Sequence, residues 1–168
     1  LIMGPTCSII YENEPMEKNT MIQKPRPFTT TFFNWRELIT SIVQGLIITV
    51  GSLLVYQLAV QDGFNESITR TMVFTTLISA NIVLTLVNRS FYYSIFTTIR
   101  YKNNLVLLIL FITIGILGLL LYIPPLTSFF AFETLNGKQL AISIGTGFLS
   151  VIWFELVKWR KRFNKMNY

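Results

Sequence analysis

Leu105 to Ile123 read LVLLILFITIGILGLLLYI, about nineteen residues without a charge, in which the only polar groups are the hydroxyls of Thr113 and Tyr122. As a helix this run would be roughly 28 Å long, close to the hydrocarbon thickness of a bilayer. A helix lying on a soluble core keeps a polar face, and this one is apolar all round. Burying it inside a protein would need an oily shell on every side, which a chain of 168 residues cannot supply. Its flanks suit a membrane as well. Arg100, Lys102, Asn103 and Asn104 precede it, Tyr122 stands at the far end, and Pro124-Pro125 stop it. The run is read as a transmembrane helix.

Composition carries the same reading to the rest of the chain. Hydrophobic residues make up 52% and charged residues only 13%, a balance suited to a small polytopic membrane protein. The sequence has no His and a single Cys, Cys7. That excludes an internal disulfide, a Cys/His metal cluster and a nucleophile with a His base. Cys7 is expected to be a free thiol facing a reducing cytosol.

The apolar runs place four spans, at about residues 38–60, 71–88, 105–123 and 139–156, within a membrane domain over 37–168. The expected fold is all-α, four transmembrane helices in an up-down bundle, preceded by a cytoplasmic loop over 1–36. Leu1 to Met3 read as the end of an earlier span. Pro5, Pro15, Pro25 and Pro27 rule out a long helix in the loop. Phe28, Phe32, Phe33 and Trp35 then crowd the approach to the first span, as rings do at headgroup level.

Within the spans, small and polar residues fall into patterns. Ser41, Gly45 and Thr49, continued by Ser52, form a stripe that serves either as a packing seam or as a pore lining, the seam being the commoner use. Ala141 with Gly145 and Ser143 with Gly147 offer close packing on the last span. Asn65-Glu66-Ser67 is a glycosylation sequon in the short turn Gln61 to Arg70, too near the bilayer to favour that use. Asn81, Thr85 and Asn88 share one narrow face of the second span. An amide at mid-bilayer is expensive unless bonded, so Asn81 is expected to face protein. Interhelix bonding and contact with a transported ion are its two readings. Asn81 is the candidate ion-binding residue; no catalytic, metal or nucleotide-binding residue is found.

The Lys and Arg residues fix an orientation. With four spans, both ends and the loop Arg89 to Asn104 share one side, and only Arg70 and Lys138 lie on the other. The positive-inside bias makes both termini cytoplasmic. The closing cluster Lys158, Arg160, Lys161, Arg162 and Lys165 reads as a basic anchor beside Trp153 and Trp159, or as a site for anionic lipid. No nucleic-acid partner is expected.

Several stretches resemble one family, in order along nearly the whole chain. Pro5-Thr6-Cys7-Ser8-Ile9-Ile10-Tyr11-Glu12-Asn13-Glu14-Pro15 is similar to the cytoplasmic loop after the sixth span of bacterial P-type cation-transporting ATPases. Met21-Ile22-Gln23-Lys24-Pro25-Arg26-Pro27 resembles the M-x-x-R/K-P-P-R element of that loop, with the second proline displaced. Arg70-Thr71-Met72-Val73-Phe74-Thr75-Thr76-Leu77 is similar to the R-T-M-x-F-T-T-L of the eighth span. Asn88-Arg89-Ser90 with Ser94-Ile95-Phe96, Tyr122-Ile123-Pro124-Pro125-Leu126, and Glu155-Leu156-Val157-Lys158 resemble its later turn, ninth-span end and closing element.

The resemblance implies spans seven to ten of a pump, with calcium the cation that such a loop usually accompanies. It implies that the phosphorylated Asp, the nucleotide-binding domain and the main ion-binding spans lie upstream. ATP and Mg would belong to that full-length pump, and this chain carries no cofactor motif of its own. Asn81 lies where relatives often have Gln, on a span that can contribute to an ion site. The implied partners are the upstream spans and cytoplasmic domains of the same pump, membrane lipid and the transported cation, in the cell membrane. An independent four-span scaffold or accessory protein stays open as an alternative. Half of a secondary transporter would show an internal repeat, and none is visible.

Overall fold

The computed structural model describes residues 8–9, 12–13, 35–89 and 104–166, with side chains among the helical residues omitted at 36, 37, 104 and 161–166. The expected cytoplasmic loop over 1–36 therefore lies almost wholly outside the described residues, as do Cys7, the Phe28–Phe33 approach and the turn after Arg89. The described chain forms α1 (Trp35–Gln61), α2 (Glu66–Asn88), α3 (Asn104–Tyr122), a short α4 (Pro124–Phe129) and α5 (Gly137–Met166). Four of these helices are long and apolar enough to cross a membrane.

Helix ends follow local chemistry. α1 stops because Gly63 takes a left-handed φ of 72°. Gly63 N then bonds Val60 O, Phe64 N bonds Ala59 O, and Phe64 packs against the cluster of Val55, Ala59, Met72 and Leu135. This is the two-bond helix stop that glycine permits. Two residues on, Asn65 caps α2, its side chain accepting from Ile68 N at 2.8 Å. α2 thus starts at Glu66, five residues before the apolar run, because a cap and the Arg70–Glu66 ion pair outweigh local polarity. The sequon is explained too. The Asn65 amide nitrogen that glycosylation would use donates to Glu133 at 2.6 Å. After α3, Ile123 adopts an extended conformation ahead of Pro124, as the residue before proline prefers, and α4 restarts with proline in its first turn.

Packing is uneven. α1, α2 and α5 form a mutually packed trio, while α3 rests lightly on α2. Of the apolar window of α2, 50% is buried within the chain, against 11% for α3. Gln44 near the start of α1 meets Asn88 at the end of α2, and Val55 and Ala59 cluster with Met72, so these helices run antiparallel. Gly147 lies on Thr76 and Ala80, and Lys158 on Val87, so α2 and α5 run parallel. α3 returns the chain to the end where Glu133 N donates to Thr71 Oγ1. The order is up-down.

The seam differs from the expected stripe. α1 buries Gln44, Ile48, Gly51, Ser52, Val55 and Ala59, the seven-residue rhythm of helices crossing at a shallow angle. Ser41, Gly45 and Thr49 are exposed, and only Ser52 of the four is buried. Spacing by four drifts about 40° per step around a helix, so such a ladder cannot track a straight partner. On α5 the two small pairs part company. Ser143 and Gly147 are buried, whereas a Cβ on Gly145 would meet nothing within 4 Å.

Candidate functional site

Membrane helices lack a hydrophobic force toward one another, so contact geometry and polar ties must hold the trio together. At Gly147 the backbones touch. A Cβ there would stand 2.7 Å from Thr76 O and 2.9 Å from Ala80 N. One turn further along α5, Ser150 sits where a Cβ on Gly51 of α1 would go. Nearby, Ser79 Oγ donates to Ile144 O at 3.2 Å, a direct α2–α5 bond.

Most hydroxyls do not reach across. Thr49, Ser52, Thr76, Thr85, Thr113, Ser143 and Ser150 each donate to the carbonyl four residues back in their own helix. With no water at this depth, the helix itself satisfies them. Thr75 Oγ1 is the one buried side-chain oxygen or nitrogen without a hydrogen-bond partner among the described residues.

Asn81 lies in the second half of α2, half-buried, and its Nδ2 donates to Leu77 O of the same helix at 2.8 Å. Among the described residues, the bond its amide makes is thus within its own helix and not to a neighbouring one. The reason is reach, since the i−4 carbonyl is the nearest acceptor to a short amide, and adjacent Leu77 is exposed rather than packed. The interhelix amide bond belongs to Asn88, two turns on. Gln44 Nε2 donates to Asn88 Oδ1 at 3.2 Å, and Asn88 Nδ2 donates back to Gln44 Oε1 at 3.4 Å. Gln44 is 3% exposed. The sequence marks it only as an interruption of an apolar run. Its position one step off the small stripe was the signal available.

A second tie lies at the same level. Lys158 is 2% exposed, not part of a solvated or headgroup-facing basic cluster. Its Nζ donates to Val87 O, pairs with Glu155 Oε1 at 3.0 Å, and lies 5.4 Å from the centre of the Phe154 ring. The expected anchor thus loses its first member to the interior, because a buried ammonium is tolerated once carbonyl, carboxylate and ring all face it. Arg160 and Trp159 are exposed as an interfacial anchor requires, and the side chains of Lys161, Arg162 and Lys165 lie outside the described residues.

Among the described residues no group of three or more His, Cys, Asp or Glu could hold a metal ion. Residues 1–160 match the family model described as cation transporting ATPase, C-terminus. No curated protein matches the chain.

Proposed function

The chain belongs to the cation transporting ATPase C-terminus family and is a C-terminal membrane domain of a P-type cation ATPase, and on that premise we propose that it is the part that anchors the moving, ion-carrying spans. The observation that carries this reading is the contrast between its inner and outer faces. α1, α2 and α5 are tied by backbone contact at Gly147 and by the polar pairs at Asn88 and Lys158. Yet the small residues Ser41, Gly45 and Thr49, and the Leu77–Asn81 side of α2, are left open. Small residues and an amide are poor lipid-facing surfaces and good helix-facing ones. Upstream spans of the same pump are the proposed occupants of these faces.

In this reading ATP, Mg and the phosphorylated Asp belong to upstream domains, and the loop over 1–36 docks against the phosphorylation domain. Calcium is the proposed cation, both termini are cytoplasmic, and the cell membrane is the proposed site. Charged ion ligands would come mainly from upstream spans, with Asn81 at most a neutral contributor.

Detection of the chain in native membranes tests the proposal. It should run within a polypeptide several times larger than 19.4 kDa, one that forms a cation-dependent phosphoenzyme from ATP. A free 19.4 kDa polypeptide with no upstream pump would favour the independent scaffold and sink this reading. The isolated chain should incorporate no phosphate.

A further inference from the structure

α2 runs to Asn88, and its last turn holds no basic residue, while Arg89 at the C-cap keeps right-handed helical geometry. The carbonyls of that turn carry the negative end of the helix dipole. One of them, Val87 O, receives the Lys158 ammonium from α5, seventy-one positions along the chain. The same ammonium is balanced by Glu155, three residues earlier on its own helix, and Glu155 is itself largely covered. Phe154, in the apolar cluster with Val87 and Val151, closes the site with its ring. The next residue of α2, Asn88, is the one that exchanges amide bonds with Gln44 of α1.

We propose that Lys158 is a positioning residue, a tethered cation that caps the C-terminus of α2 from α5 and holds the turn carrying Asn88 in register with α1. Its charge, and not only the bulk of its stem, does this. The ammonium is the group that meets both the carbonyl and the carboxylate, and a helix end takes a cation from any direction that brings it close. Two ties then grip adjacent residues of one turn, Val87 toward α5 and Asn88 toward α1. Loss of either should loosen the other.

The test uses the full-length pump in detergent, with Lys158→Met, Lys158→Arg and Glu155→Gln, alone and combined with Gln44→Leu. Methionine keeps the length of the stem and removes the charge. Lys158→Met should lower Tm by about 1–2 °C, scaled from the usual effect of a lost charged hydrogen bond in a chain several times this size. Lys158→Arg should recover at least half of that loss. Glu155→Gln should fall between wild type and Lys158→Met. The combination of Lys158→Met with Gln44→Leu should cost less than the two separate losses added, because both act on one turn. A Met variant as stable as wild type, an Arg variant no better than Met, or strict additivity with Gln44→Leu would overturn the proposal. If Lys158→Met does not accumulate, Glu155→Gln with and without Gln44→Leu decides it by the same criterion of additivity.

Discussion

Gln44 and Asn88 exchange amide hydrogen bonds across the α1–α2 interface, at 3.2 and 3.4 Å, with Gln44 almost wholly buried. Each side chain is the other's donor and acceptor, so neither is left with a raw amide in an apolar setting. Interhelix bonds in membranes average only about 0.6 kcal/mol, because the separated helices find other partners. The cost of orphaning one amide is larger, about 1–3 kcal/mol. Gln44→Leu or Asn88→Leu alone should therefore destabilise the pump more than the pair's net worth, and the double substitution should recover part of the loss. A double-mutant cycle in thermal melts checks this, with a coupling of about 0.5–2 kcal/mol expected; purely additive losses would mean that the two amides do not hold each other.

Gly147 and Gly145 make a matched contrast on α5. Gly147→Ala drives a methyl into the backbone of α2 at Thr76 and Ala80. Overpacking of this kind costs about 1–3 kcal/mol, and backbone cannot step aside as a side chain can. Gly145→Ala meets nothing within 4 Å and should be neutral, or stabilising by up to about 1 kcal/mol through helix propensity. Melting temperatures of the two variants in the same detergent should move in different directions. Equal losses would argue that α5 presents another face to its partners.

Asn81 is tested by charge. Asn81→Gln keeps the amide and Asn81→Asp adds a carboxylate, both on the open side of α2. Where upstream helices cover that side, both variants should shift Tm while apparent cation affinity stays at the wild-type value. A clear affinity change in a well-folded Asp variant would transfer Asn81 to the ion path.

Topology is open to labelling. In a Cys7→Ser background, single cysteines at Lys138 and Lys161 should react with an impermeant reagent from opposite sides of the membrane. Lys138 lies at the start of α5 and position 161 beyond Lys158, where the membrane window of the helix closes at Arg160. Reaction of both from one face would refute the up-down order and the cytoplasmic placement of the termini together.

Much of this architecture was legible in the chain alone, and for a simple reason. A bilayer imposes one length and one polarity on whatever crosses it, so the apolar runs around Val50, Val83, Ile112 and Gly147 announced four spans without any knowledge of their neighbours. Proline announced the break at Pro124 and the polar run Gln61 to Arg70 announced a turn, by the same local logic. Asn65 as a helix cap was less visible, because an N-cap and a sequon are written with the same residue.

Partner choice was not legible. Ser41, Gly45 and Thr49 make the better small-residue ladder, yet the buried seam of α1 runs through Gln44, Ile48, Gly51 and Val55. Asn81 looks the more demanding amide, yet it is satisfied within its own helix while Asn88 finds Gln44. Lys158 reads as one more positive charge at the end of a span, and only the approach of α5 to the last turn of α2 makes it a cap. Periodicity tells which residues share a face of one helix. Which face meets which neighbour depends on distances between helices far apart in the chain. Close approach, such as that at Gly147, has no counterpart in the order of residues.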